Sequence, residues 1–92
     1  MQRHSKERPT PEQAFAKVLR EQRKKAGLSQ EALGFESGYH RTYIGMLERG
    51  LMNPSLRTIL SIVSALNVPA GEFVGLVEKA VGRPWRRTEK EP

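Results

Sequence analysis

The chain contains no cysteine and no aspartate. Without cysteine there is neither a disulfide nor a thiolate metal site, a composition that fits a reducing compartment. Histidine is almost as scarce. His4 lies in the N-terminal segment and His40 in mid-chain, so no histidine pair suggests a metal or a catalytic base. A phosphate-binding glycine loop is missing, as is any nucleophile–base pair in a recognisable context. An enzyme is therefore not expected, nor a catalytic residue, a metal or a cofactor. No apolar run approaches the length of a membrane span, and the N-terminus lacks the apolar segment of a signal peptide. The expectation is a cytoplasmic protein without a membrane partner. No ligand-pocket signature, internal repeat or low-complexity tract stands out.

What is present is positive charge. The formal net charge is +6 over 92 residues, the size of one small domain with one core. Residues 1–25 hold eight Lys/Arg against three Glu, residues 26–82 four against five, and residues 83–92 four against two. A basic balance favours a polyanion such as nucleic acid, because neutralising phosphates releases counterions. Basic ends also keep a small protein soluble, so charge alone leaves both readings open.

Five helices can be read along the chain, with residues 1–9 as a flexible basic arm, 10–81 as the folded domain and 82–92 as a basic tail. The first helix runs from about Pro11 to Ala26. Thr10 is its N-cap, Pro11 suits the first helical position and Gln13 completes a capping box. Phe15, Val18 and Leu19 form its buried stripe. The second runs from about Gln30 to Ser37, capped by Ser29 and ended by Gly38. The third runs from about Arg41 to Arg49, with Gly50 closing it. The fourth, about Leu56 to Leu66 after Ser55, carries apolar residues on more than one stripe and is expected to be the central buried helix. The fifth starts near Pro69 or Ala70 and reaches about Ala80. Its apolar residues cover more of the surface than one core contact requires, which suggests a partner subunit. Phe73, Val74, Val77 and Val81 are the candidate contacts; scattered surface residues are the plainer alternative for Val74 and Val81. Trp85 either folds back on the core or belongs to a disordered tail.

Residues 28–50, LSQEALGFESGYHRTYIGMLERG, say most about function. Two short helices meet at a tight glycine corner, and the second begins with the polar run Arg41-Thr42-Tyr43. This is the spacing of a helix-turn-helix unit, whose second helix can enter a DNA major groove. Gly34 falls where the two helices must cross closely. Leu33, Ile44 and Leu47 fall on the inner face. A guanidinium at Arg41 can donate twice to guanine O6 and N7, and Thr42 can bond a base or touch a thymine methyl. Met46, four residues beyond Thr42, either meets the groove or fills a core gap. Gln30, at the start of the second helix, is placed for a phosphate. His40 either donates to a phosphate or caps the third helix, and Tyr43 flanks that helix.

The resemblance is wider than this unit. From about Phe15 to Val77 the chain resembles the Cro/repressor-type (XRE) helix-turn-helix family. Leu19, Arg20, Arg23, Gly27-Leu28-Ser29-Gln30, Leu33, Gly38, Ile44, Glu48-Arg49-Gly50, Asn53-Pro54-Ser55 and Ala65-Leu66-Asn67-Val68-Pro69 carry it. The run SGYHRTYIGMLERGLMNPSL is similar to the controller proteins of restriction-modification systems. The resemblance implies an all-α, five-helix, lambda-repressor-like domain that binds double-stranded DNA. It implies base reading by Arg41, Thr42 and Met46, and backbone contacts from Arg49, Asn53 and Ser55. It also implies a partly buried ion pair between Arg23 and Glu48. Two residues depart from the pattern. Ser37 stands at a site that is usually apolar, so the corner is either weakly packed or the hydroxyl bonds locally. Gly45 lies inside the third helix, where glycine costs about 1 kcal/mol relative to alanine. The expected function is a dimeric transcriptional regulator on a two-fold operator. The competing reading is an antitoxin or adaptor whose main partner is another protein, with only residues 1–9 and 83–92 available to grip it.

Overall fold

A computed structural model describes residues 8–82 and Trp85. Among them are five helices and no strand: α1 (Pro11–Lys25), α2 (Gln30–Ser37), α3 (Arg41–Glu48), α4 (Leu56–Leu66) and α5 (Ala70–Val81). The capping signals act as read. Thr10 Oγ1 accepts from Gln13 N at 3.1 Å while Gln13 Oε1 accepts from Thr10 N at 2.9 Å. Ser29 and Ser55 cap α2 and α4 by accepting from Ala32 N and Thr58 N. Among the described residues no single helix is long and apolar enough to cross a membrane. Residues 1–7, with most of the expected arm, lie outside the described residues, as does the tail beyond Gly82 except Trp85. Trp85 keeps 45% of its surface exposed, so it does not close the core.

The core is built around Leu19, Leu33, Ile44, Leu47, Ile62 and Phe73, which are essentially inaccessible. The Phe15 and Phe73 rings meet at 5.5 Å in a tilted pair, joining α1 to α5. Here α1, not α4, is the central element. It packs against both α3 and α5 and buries Ala14, Phe15, Ala16, Val18, Leu19 and Arg23. The expectation that α4 is buried on more than one side is corrected: Leu56 is 70% exposed and Leu60 48%. In a domain this small there is no further layer to cover the outer side of α4; the helix packs against α2 and α5 and buries only Thr58, Ile62, Val63 and Leu66.

A second correction concerns α5. Phe73 and Val81, proposed from sequence as subunit contacts, are 0% and 4% exposed and belong to the monomer's own core. The reason is that α5 lies against α1, with the Phe73 ring on that of Phe15. Val74 stays 46% exposed, and Val77 is half-buried against the core.

One polar cluster fixes the remaining geometry. Arg23 Nε donates to Glu48 Oε2 at 2.6 Å and Nη2 to Oε1 at 3.0 Å. Both side chains are buried. The third arm of the guanidinium, Nη1, donates to Leu28 O at 2.8 Å, across the turn between α1 and α2. Hydrogen bonding to Glu48 raises the Arg23 pKa above its usual value, against burial, which lowers it. Arg20, one turn earlier, donates to the Glu48 carbonyl at 2.8 Å, where α3 exposes unpaired carbonyls. Removing one partner of such a buried pair leaves the other charge uncompensated. Glu48→Ala is therefore expected to lower unfolding stability by about 3–5 kcal/mol, measured by chemical denaturation.

Candidate nucleic-acid interface

The corner between α2 and α3 sets the angle of the exposed helix. Gly38 ends α2 in the left-handed region at φ 86°, and both Gly38 N and Tyr39 N donate to Gly34 O at 2.8 Å. A Cβ on Gly34 would stand 2.4 Å from the Tyr39 carbonyl oxygen, so any side chain there forces the corner open. Ser37 bonds locally. Its hydroxyl donates to Leu33 O at 2.7 Å, the local bond that a polar residue at this position allows. Tyr39 braces the corner from outside. Its hydroxyl shares a 3.0 Å hydrogen bond with buried Thr58 of α4, and its ring lies 5.1 Å from that of Tyr43.

From this corner α3 presents its first turn outward. Arg41 and Thr42 are exposed. Arg41 reaches Glu31 at 3.7 Å, an open surface pair of little energetic weight that leaves the guanidinium free to turn elsewhere. His40 is exposed and caps the helix: its Nδ1 accepts from Thr42 N at 3.0 Å. A neutral ring bonded in this way carries its proton on Nε2 and can still donate outward. The two sequence readings of His40 are thus compatible. Met46 is half-buried and is absent from the residues packed against the core. Ile44 and Leu47 point inward and are fully covered.

The expected backbone-contacting residues divide. Arg49 and Asn53 are exposed and unengaged among the described residues. Tyr43 is half-buried, its ring against the core and Tyr39. The Ser55 hydroxyl is occupied, accepting from Thr58 N and donating to Thr58 Oγ1 at 3.1 Å. Gln30 is also engaged: its Nε2 donates to Glu48 Oε1 at 3.0 Å, which leaves the second amide hydrogen. Gln30, Arg41, Thr42, Gly45 and Arg49 together line a surface cleft of about 360 Å³. Arg20, Tyr39 and Thr58 were not singled out as bracing residues from the sequence. For Arg20 the signal was present, since it lies three residues before Arg23 and so shares its face of α1.

Comparison with known proteins agrees with this geometry. The family described as Helix-turn-helix matches residues 19–73. Control protein C.BamHI of Bacillus amyloliquefaciens is 52% identical over 44 residues, 48% of this chain and 54% of that protein. The chain thus spans about half the length of that curated relative. The crystal structure of the restriction-modification controller C.AhdI from Aeromonas hydrophila is 45% identical, with a TM-score of 0.66, covering 67% of this chain and 94% of that one. The controller C.Esp1396I, solved as a tetramer in complex with its natural 35 base-pair operator, is 26% identical. Its TM-score is 0.73, with 79% of this chain and 96% of that one covered. The chain belongs to the XRE-type helix-turn-helix family.

Proposed function

We propose that this protein is a sequence-specific DNA-binding regulator of transcription that acts as a homodimer on a two-fold operator, in the manner of the restriction-modification controllers. The observation that carries the reading is the outward-facing first turn of α3, which offers unspent donors on a helix anchored by fully buried residues. Arg41 is the base reader, donating twice to a guanine edge. Thr42 bonds a base or meets a thymine methyl, and Met46 supplies apolar contact beside them. Gln30, His40 through Nε2, Tyr43 through its hydroxyl, Arg49 and Asn53 take backbone phosphates and fix the register. Ser55 contributes its backbone N–H rather than its engaged hydroxyl. Such a protein works where the chromosome is, in the bacterial cytoplasm. The similarity to controller proteins favours this reading over an antitoxin or adaptor role.

Dimerisation follows from the same reading, because two recognition helices reach half-sites about one helical turn, ~34 Å, apart. Phe73 and Val81 are unavailable to a partner. Val74 on α5, with Leu56 and Leu60 on α4, is exposed apolar surface that a second copy would cover; Phe35 and Leu51 are exposed as well.

On the preferred duplex Arg41→Ala is expected to cost about 1–3 kcal/mol and to relax the preference at one base position, measured by equilibrium binding to duplexes altered one position at a time. A uniform loss over all sequences would make Arg41 a phosphate contact instead. In sedimentation at micromolar concentration the protein is expected to run as a dimer, and a Leu60→Glu, Val74→Glu double variant as a folded monomer. A wild-type monomer contradicts the homodimer.

A further inference from the structure

Glu31 is the carboxylate that the fold brings to Arg41. It stands in the first turn of α2, with Oε1 3.7 Å from Arg41 Nη1, and the two side chains are 75% and 63% exposed. Folding asks little of it. The N-cap bond of α2 is made by Ser29, whose hydroxyl accepts from Ala32 N at 2.9 Å. Among the described residues the Glu31 carboxylate has no partner besides Arg41. A negative charge in a first turn suits the helix dipole, a benefit that needs no arginine beside it.

For a protein that meets DNA the position is costly. Arg41 lines a cleft with Gln30, Thr42, Gly45 and Arg49, none of them acidic. A carboxylate beside that cleft repels phosphates whatever the sequence. What it can add is choice between sequences. Arginine carries five N–H donors in a rigid planar fork. With a carboxylate on the Nη1 side, Nε and Nη2 remain as two parallel donors, the arrangement that guanine O6 and N7 accept. An arginine without such a neighbour is free to take a phosphate, a contact that carries no sequence information. At 3.7 Å the pair is too long for a hydrogen bond in the free protein. It can close once a base edge holds the guanidinium.

We propose that Glu31 is a positioning residue for base readout. It turns the Arg41 fork edge-on to a guanine and withholds it from the phosphates. It thereby lowers affinity for all DNA and sharpens the preference at one base pair. The inference rests on Arg41 being the base reader.

The test is equilibrium binding of full-length wild type, Glu31→Gln, Glu31→Ala, Arg41→Ala and the Glu31→Ala, Arg41→Ala double variant. Each is measured on the preferred duplex, on the series altered one position at a time, and on an unrelated duplex. Glu31→Ala is expected to tighten the unrelated duplex by about threefold, the size of one exposed charge interaction. Its discrimination at the position Arg41 reads should fall about fivefold or more, a part of what one bidentate contact supplies. Discrimination is a ratio of two affinities of the same protein, so a merely structural loss does not move it. Glu31→Gln keeps an acceptor oxygen without the charge. It should gain the same non-specific affinity and recover part of the discrimination. Once Arg41 is replaced by alanine, Glu31→Ala should change discrimination no further. Equal changes on every duplex, with discrimination unaltered, overturn the proposal and leave Glu31 a surface charge. A loss of discrimination that persists in the Arg41→Ala background overturns it too, and makes Glu31 a base contact in its own right. If Arg41→Ala relaxes no position, Arg41 is not the base reader and that reading falls as well.

Discussion

Glu48 is the residue on which the rest of the arrangement depends. It stands at the end of α3 and receives Arg23 from α1, twice, and Gln30 from α2, while its own carbonyl receives Arg20. Three helices are thus joined at one buried carboxylate. A buried ion pair adds little to stability when compared with a well-packed apolar alternative. Its value here is geometric. It fixes the end of α3 opposite the exposed Arg41-Thr42 turn, and it fixes the side chain that flanks Gly45. The exposed first turn of α3 is held in place by charges buried at the helix's other end.

This explains why so polar a helix can be rigid. Only eight residues long, α3 would be marginal alone. Ile44 and Leu47 bury one side, His40 caps the start, and the cluster around Glu48 secures the end. The outer side keeps its donors free because none is needed for folding. Arg41 is bound only by a long, solvent-exposed contact to Glu31.

Much of this was legible in the sequence, for physical reasons that differ by residue. Thr10 with Gln13, Ser29 and Ser55 announce helix starts because capping is local and needs no knowledge of the tertiary fold. Gly34 and Gly38 mark the corner for the same reason. The ion pair came from family resemblance rather than from the residues themselves, since nothing in a sequence shows that Arg23 and Glu48 meet. Burial was the weak point. An apolar residue does not declare which neighbour covers it, so Leu56 and Leu60 were read as interior and Phe73 and Val81 as a subunit contact. The exposure of each depends on how few layers the chain can build. Residues with two uses, such as His40 and Gln30, were visible only as alternatives until their hydrogen bonds were placed.

The central claim is that α3 reads a specific, two-fold DNA sequence. Selection of bound duplexes from a random pool, at about 150 mM salt so that non-specific attraction is screened, tests it most directly. The account predicts enrichment of an inverted repeat whose half-sites lie about one helical turn apart. Weak, salt-sensitive binding to every sequence, with none enriched, would contradict it.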